Sequence, residues 1–295
     1  AGLVLAFPVL DRGSGPREHD VFVVDVLCEN LAGVEVLDDL APDHRGEHQH
    51  ADRRVRSVAD LVRTGLAARR FETATLDTWL GVVDEADMLA LSGELASFDC
   101  RNNRLAELGL RAEGFGDAVR VAAARWGAHR VGVFLGTSTA GILQTEVAYR
   151  ERDATSGALP AWLHYGHTHN TYSVSAYVRA ALGLQGPAYV VSTACSSSAK
   201  VFAAAARMID AGIVDAAVVG GVDSLCMTTL YGFASLELLS PQICRPWDAE
   251  RNGLSLGEAA AFALLERECA EPAAWLLGAG ESSDGHHMSS PHPEG

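Results

Sequence analysis

The sequence predicts an α/β protein with a parallel sheet that is covered by helices on both faces. Short apolar runs at 130–141, 188–195 and 214–224 have the length and β-branched content of strands, and small-residue loops or turns follow them. An Ala-rich segment at 196–212, closed by Gly212, has the composition of a helix and lies between two of these strands. Short apolar strands that alternate with helices are typical of a parallel sheet buried on both faces.

Four further segments complete the predicted order of elements. VFVVDVL (21–27) predicts a buried strand, and the polar stretch at 41–54 predicts an exposed loop. Residues 56–71 have the apolar spacing of an amphipathic helix that ends in a turn. The segment 253–267 predicts another buried strand, although its Ala content also allows a helix.

Length and composition are those of an ordinary globular chain. Its 295 residues are 48% hydrophobic and 21% charged, which suits one large domain or about two smaller ones. The formal net charge of −15 argues against a nucleic-acid surface, which needs clustered Lys and Arg. No run approaches the roughly 20 apolar residues that span a bilayer, so we expect no membrane segment.

The six cysteines are scattered, without a CxxC pair or the ligand spacing of a zinc site. They do not form a disulfide scaffold in a chain of this length, so we expect a reducing cytoplasm. The apolar opening at 1–10 is short and has no basic residues before it, which argues against a signal peptide. Because the chain starts with Ala1 and stops just after SSPHPEG, we expect a fragment of a longer protein.

The feature that points to chemistry is STACSSSA (192–199), where a strand ends, the chain turns and Cys195 stands at the start of the next helix. The free N–H groups and partial positive charge of a helix start favour a thiolate and stabilise an oxyanion on a thioester. The small neighbours Ala194 and Ser196 allow a substrate to approach closely. The same residues also allow another interpretation, a buried and inert cysteine with serines that cap the helix.

The segment TACSSS after an apolar strand resembles the nucleophile motif of the condensing enzymes, the β-ketoacyl-acyl-carrier-protein synthases. Five further segments resemble this family in the same order, and FDCRNNRL (98–105) is a softer match. The five are GTSTAGI (136–142), VVGGVDSLC (218–226), YGFASLELLS (231–240), RPWDAERNGLSLGEAAA (245–261) and GESSDGHHMSSPHPEG (280–295). Six matches in register make the resemblance specific, and it covers residues 57–295.

This resemblance implies a thiolase-like fold, a five-layer α-β-α-β-α sandwich made of two similar halves. We expect 1–56 to be a poorly matched N-terminal segment, since the family's first strand with its ITGxG-like turn is not recognisable there. We expect 57–268 to form the N-terminal half of the fold and 269–295 to begin a truncated C-terminal half.

The resemblance also implies the reaction, a decarboxylating Claisen condensation in fatty-acid biosynthesis. Cys195 takes an acyl group from acyl carrier protein, and a malonyl thioester on the carrier then loses carbon dioxide and attacks that group. No cofactor or metal is needed. The implied protein is a cytoplasmic homodimer, with 136–142 and the strand before Cys195 near its interface.

The family's two decarboxylating histidines lie in HGTxT and KSxxGH segments that this sequence does not contain, so we expect the chain alone to be defective in condensation. His287, Ser289 and Ser290 are instead carried over as substrate contacts in the tunnel for the pantetheine arm. The alternative for these three is a hydrogen-bonded structural loop. Phe233 and Met227 are carried over to the acyl pocket, with a place in the core as their alternative.

Other residues in the matching segments predict structure rather than catalysis. Asp248 and Arg251 are expected to tie a turn together through charge-assisted hydrogen bonds. Glu258 is expected to be a buried, paired carboxylate, and Gly220 and Gly221 to allow close backbone packing.

Some positions depart from the family pattern or suggest another chemistry. Asn252 stands where the family has Asp, and Ala259 stands where Gly is usual, so its backbone must avoid the conformations that only Gly tolerates. HYGHTHN (164–170) has an HxxHxH spacing that suggests a metal. In the family this region packs near the dimer interface and acyl pocket, so we expect no metal site.

Two alternatives remain within the resemblance. One is a non-catalytic partner subunit of the chain-length-factor kind, although such subunits typically lack the cysteine that this chain has at 195. The other is a ketosynthase of polyketide or aryl-polyene synthesis, whose chemistry is identical and which the motifs do not separate. A hydrolase that uses the same cysteine would need a histidine placed to activate water, and the sequence indicates none.

Overall fold

The structure is a computed structural model that describes residues 23–27, 55–57, 76, 78–269, 272–283, 285–287 and 292–294. Within these residues the strands are β1 (Val23–Leu27), β2 (Val55–Ser57), β3 (Trp79–Gly81), β4 (Val131–Gly136), β5 (Ala188–Val191), β6 (Ala216–Asp223), β7 (Leu256–Gly257), β8 (Ala259–Glu266) and β9 (Ala274–Trp275). The α-helices are α1 (Glu85–Met88), α2 (Arg101–Arg111), α3 (Phe115–Trp126), α4 (Ile142–Arg150), α5 (Ser173–Ala181), α6 (Ser197–Asp210) and α7 (Met227–Ser235).

The main sheet has six strands in the order β5-β4-β6-β8-β1-β9. Strand β4 pairs in parallel with β5 and β6, whereas β8 is antiparallel to both β6 and β1. The predicted parallel sheet is therefore right for β4, β5 and β6 and wrong for β8. The chain leaves β6 at Asp223 and enters β8 at Ala259, directly opposite, so the long connection returns to the same end of the sheet. A smaller sheet has the order β2-β3-β7.

Helices cover both faces of the main sheet, as predicted. Val133 and Leu135 of β4 pack in one hydrophobic cluster with α2, α3 and α5, and Phe134 between them packs in a second cluster with α6. Adjacent residues of a strand point to opposite faces, so a strand buried on both faces is apolar throughout. The main sheet and these helices therefore form three layers, α-β-α.

Most predicted elements are confirmed. The runs at 21–27, 130–141, 188–195, 214–224 and 253–267 contain strands β1, β4, β5, β6 and β8, and the segment at 196–212 contains α6. The loop at 41–54 lies outside the described residues, as does the helix at 56–71 except for Arg56 and Ser57, which lie in strand β2 instead of a helix. Strand β1 comes from the N-terminal segment that matches the family poorly, and it pairs between β8 and β9.

Glycines bring the start of α6 close to the sheet. A Cβ atom at Gly136 would lie 2.3 Å from the backbone nitrogen of Ser198, and one at Gly221 would lie 2.5 Å from the Cβ of Ser198. Gly220 has a φ of +145°, and a Cβ there would lie 2.0 Å from the carbonyl oxygen of Ala261. The close packing expected of Gly220 and Gly221 is thus confirmed, and it places the first turn of α6 on the backbones of β4 and β6.

Candidate active site

Cys195 lies in the short turn between β5 and α6, at the edge of the sheet where the parallel strands end. Its thiol is free and the residue is exposed, two positions before the first helical residue. The residue before it, Ala194, has a φ of +53°, in the left-handed region that costs a non-glycine residue roughly 1–2 kcal/mol. Cys195 is therefore not buried, as the alternative interpretation required.

Hydroxyl groups hold this strained turn in place. The Ser197 hydroxyl accepts a hydrogen bond from the Thr193 N–H at 2.9 Å and donates one to the Ala194 carbonyl at 2.6 Å. Ser196 donates to the Thr193 carbonyl at 3.0 Å, and Ser138 from the neighbouring loop donates to the Ala194 carbonyl at 3.1 Å. The serines thus bond back into the turn, and Ser196, the N-cap residue of α6, makes no side-chain capping hydrogen bond to the helix.

The neighbouring loop, 137–141, is tied to the end of β6 by one carboxylate. An oxygen of Asp223 accepts hydrogen bonds from the N–H groups of Ser138 and Thr139 at 2.7 and 2.8 Å. It also accepts from the hydroxyls of Thr137 and Thr139 at 3.1 and 2.8 Å. Our sequence analysis did not single out Asp223. An acidic residue at the end of a buried strand, near a loop rich in Ser and Thr, was the available clue.

The two candidates for the acyl pocket have different surroundings. Met227 packs against a small hydrophobic cluster of Leu80, Leu225 and Leu230, so the core alternative fits it. Phe233 lies on the same helix, α7, but is half-buried and lies outside the three hydrophobic clusters of the described residues. These clusters therefore support the core alternative for Met227 and not for Phe233.

The segment expected to contact the pantetheine arm, 280–295, is tied to α6 near its start by an ion pair. Leu276 packs in the same hydrophobic cluster as α6, and Glu281 forms an ion pair with Lys200 of that helix at 2.7 Å. The Lys200 ammonium lowers the pKa of Glu281. Within this segment His287 is exposed, whereas Ser289 and Ser290 lie outside the described residues.

A buried ion pair supports the loop between β6 and α7. Glu258 accepts from the Arg101 Nε at 2.7 Å, and also from the N–H groups of Val83 at 3.0 Å and Leu225 at 3.1 Å. Burial opposes the charge of Arg101, but the hydrogen bonds and charges of Glu258 and Asp87 outweigh it and raise its pKa. The predicted buried, paired role of Glu258 is confirmed, and Arg101 is a partner that sequence reasoning did not identify.

Comparison with known proteins places this geometry in a family. The family described as "Beta-ketoacyl synthase, N-terminal domain" matches residues 113–270, which is more than half of the chain. The chain belongs to the β-ketoacyl synthase family. The matched residues include Cys195 and all the elements that surround its turn.

Curated relatives of this synthase chain carry two kinds of name. "Nodulation protein E" of Rhizobium meliloti is 33% identical over 173 residues, which cover 56% of this chain and 43% of that protein. A "3-oxoacyl-[acyl-carrier-protein] synthase 2" of Rhizobium meliloti strain 1021 is 36% identical over 126 residues, or 38% of this chain and 30% of that protein. The chain thus spans less than half the length of these curated relatives.

Solved structures share the fold. A ketosynthase in complex with its chain length factor, from Xenorhabdus doucetiae, matches with a TM-score of 0.63 and 40% identity over 74% of this chain and 53% of that one. A β-ketoacyl synthase from Burkholderia phymatum matches with a TM-score of 0.59 and 23% identity over 75% of this chain and 57% of that one. This synthase chain therefore has the thiolase-like α/β fold of ketosynthases.

The remaining positions singled out in the synthase motifs have structural partners. Glu250 donates its N–H to the Asp248 carboxylate at 2.7 Å, and Arg251 donates to the Asp248 backbone carbonyl at 3.0 Å, so charged groups tie this turn as predicted. Asn252 accepts from the Ser240 hydroxyl at 2.8 Å. Ala259 lies in β8 opposite Asp223, in the extended backbone that a non-glycine residue requires.

The histidines of 164–170 have other contacts in the synthase chain. His169 lies 2.6 Å from the Thr145 hydroxyl through its Nδ1, and the ring of His167 lies 4.7 Å from that of Phe98. Among the described residues, no three His, Cys, Asp or Glu side chains gather as a metal site would need. None of the described helices is long and apolar enough to cross a membrane.

Proposed function

We propose that the full-length protein is a 3-oxoacyl-acyl-carrier-protein synthase of fatty-acid biosynthesis that uses Cys195 as its nucleophile. The observation that carries this proposal is the exposed thiol of Cys195 on a strained turn, inside the motif that the family uses for acyl transfer. Neighbouring loops from β4 and β6 support the turn through Ser138 and Asp223. Such a turn presents a sulfur atom to a substrate while the backbone around it stays rigid.

The reaction has two steps. The Cys195 sulfur attacks the thioester carbonyl of an acylated carrier, the carbon–sulfur bond to the pantetheine arm breaks, and the pantetheine sulfur leaves with a proton. A malonyl thioester then loses carbon dioxide, and its α-carbon attacks the acyl group and expels the Cys195 thiolate. We propose no cofactor or metal.

Substrate contacts come from two directions. Phe233, half-buried on α7, would line the acyl pocket. His287, Ser289 and Ser290 would line the pantetheine tunnel, since the preceding segment is held against α6 by Leu276 and Glu281. The segments with the decarboxylating histidines are not in this sequence. We therefore propose that this chain alone accepts an acyl group and does not condense it.

The proposed architecture is the five-layer sandwich, with 57–268 as its N-terminal half and 269–295 as the start of the second half. Strand β5 is the edge of the main sheet, and its four residues are all half-buried. An edge strand offers unpaired backbone groups to a second subunit. We propose that this edge and the loop at 136–142 face the partner of a cytoplasmic homodimer, and that acyl carrier protein delivers both substrates.

A second candidate has its own supporting observation. The structure from Xenorhabdus doucetiae, at 40% identity, is a ketosynthase bound to its chain length factor. This relative favours a ketosynthase of a polyketide-type pathway that pairs with a different subunit, with the same chemistry at Cys195. A non-catalytic partner subunit fits less well, because that role needs no exposed cysteine on a strained turn.

The test is the intact mass of the full-length protein after incubation with acyl carrier protein that bears a short acyl group. We expect a mass gain equal to that acyl group, lost in Cys195→Ala and retained in Cys269→Ala, a matched change at a half-buried cysteine. No mass gain in a folded, dimeric protein would instead support the non-catalytic partner subunit.

A further inference from the structure

Helix α7, which bears Phe233, is held at its N-terminus by a carboxylate from another helix. Glu146 of α4 accepts hydrogen bonds from the N–H of Met227 at 3.0 Å and from the N–H of Thr228 at 2.7 Å. It also accepts from the Thr228 hydroxyl at 2.6 Å. The N-cap residue of α7, Cys226, makes no side-chain capping hydrogen bond to the helix. The cap of α7 therefore comes from α4.

This arrangement matters because α7 is short. A helix of nine residues is marginal by itself, since isolated helices shorter than about 12–15 residues are barely stable in water. A carboxylate at the free N–H groups of the first turn satisfies those donors and complements the helix dipole. Because Glu146 belongs to α4, its cap also fixes where α7 lies with respect to α4.

Two carboxylates thus join the unit of β4, its loop and α4 to the unit of β6, its loop and α7. Each unit supplies one of the two carboxylates. Asp223, at the end of β6, holds the loop that precedes α4, and Glu146 in α4 holds the start of α7, which follows β6. The first of these loops also touches the turn of Cys195, through the bond from Ser138 to the Ala194 carbonyl. The turn of Cys195 is therefore connected to the helix of Phe233 by two sets of hydrogen bonds, which the chain from loop 137–141 into α4 joins.

We propose that Glu146 is a positioning residue that sets the distance between Phe233 and Cys195, and with it the length of acyl chain that the pocket accepts. This inference rests on the proposed function. Glu146 touches neither the substrate nor the reacting atoms, and it acts through the position of α7. Without the carboxylate, the first turn of α7 loses three hydrogen bonds and Phe233 is no longer held at one depth.

The experiment compares Glu146→Gln and Glu146→Ala with the wild-type full-length protein. The initial rate of Cys195 acylation is measured by intact mass with butyryl-loaded and with lauroyl-loaded acyl carrier protein, and the ratio of the two rates is the readout. This ratio does not depend on the fraction of protein that is folded, because both rates come from one preparation. Glu94→Gln is the matched control, an exposed glutamate far from α7 in the sequence.

We expect Glu146→Ala to shift the ratio about tenfold in favour of the lauroyl chain, the scale on which a hydrophobic pocket discriminates one methylene group. Glu146→Gln keeps the size of the side chain and one acceptor oxygen, so we expect a smaller shift in the same direction. Glu94→Gln should leave the ratio unchanged.

An unchanged ratio in both Glu146 variants, with Cys195 still acylated, would overturn this inference and leave the proposed function intact. Absence of acylation of the wild-type protein by either chain would overturn the proposed function, and this inference with it. Glu146→Gln decides the matter if Glu146→Ala does not fold.

Discussion

Two cysteines of this chain occupy the same place in successive strand–loop–helix units, but their surroundings differ. Cys195 follows β5 and precedes α6, and Cys226 follows β6 and precedes α7, both near the ends of parallel strands. Cys195 is exposed, whereas Cys226 is fully buried and burial raises its pKa. The start of a helix therefore does not by itself make a cysteine reactive.

The backbone before each cysteine accounts for the difference. At the first unit, the left-handed Ala194 turns the chain sharply, and Cys195 stays outside the helix that follows. At the second unit, Cys226 is itself the N-cap residue of α7 and has extended backbone. It lies between the buried Leu225 and the half-buried Met227. The strained turn exposes one thiol, and the regular helix start buries the other.

The largest expected effect is in reactivity. Iodoacetamide should alkylate Cys195 in the native protein about a thousandfold faster than Cys226 or Cys100, because the two buried thiols react only when the structure opens. Peptide mass spectrometry of timed samples measures each site separately. In denaturant the three rates should become similar. Comparable alkylation rates for Cys195 and Cys226 in the native protein would contradict the difference in exposure between the two thiols.

A smaller effect, on stability, is expected from substituting the glycine under α6, where space is tight, and a glycine in α7, where it is not. Gly136→Ala would bring a Cβ to 2.3 Å from the backbone of Ser198 beneath α6, so we expect it to lower the free energy of unfolding by about 3 kcal/mol. The matched control is Gly232→Ala in α7, where no atom lies within 4 Å, and it should stabilise by up to about 1 kcal/mol.

Denaturant unfolding of both variants measures these changes. Alkylation of Cys195 should also be slower in fully folded Gly136→Ala than in the fully folded wild type, because the first turn of α6 must move away from the sheet. Equal stability of the two variants would show that the close contact under α6 does not matter.

The smallest expected effect, taken per pH unit, is the loss of stability that one buried thiol causes as the pH rises. Burial raises the pKa of Cys100 from 9.0 to about 12. Above pH 9 the unfolded chain gives up this proton while the folded chain keeps it. The stability that is present below pH 9 is therefore lost by about 1.4 kcal/mol per pH unit as the pH rises toward 12.

Unfolding in denaturant across this pH range measures the slope for the wild type and for Cys100→Ala. The variant should lose less stability per pH unit than the wild type, whatever constant difference in stability the lost side chain causes. Parallel curves for the two proteins would contradict the prediction.

Local patterns were sufficient to predict much of the fold. The strand at 131–136, the helix at 197–210 and the turn between Val191 and Ser197 depend on residues that are adjacent in the chain, so their periodicity and composition reveal them. The direction of β8 was not predictable in this way. An antiparallel strand buried on both faces is as continuously apolar as a parallel one, and the path of the 35 residues between Asp223 and Ala259 decides its direction.

The sequence by itself determined the family and the apolar strands that surround Cys195, because each depends on a short run of residues. The tertiary structure decided which thiol is exposed and which carboxylates hold the site. Glu258 meets Arg101 across 157 positions, and Glu146 meets Thr228 across 82. A charged residue in a sequence shows that a partner is needed, and only the packing of distant elements determines which partner it has.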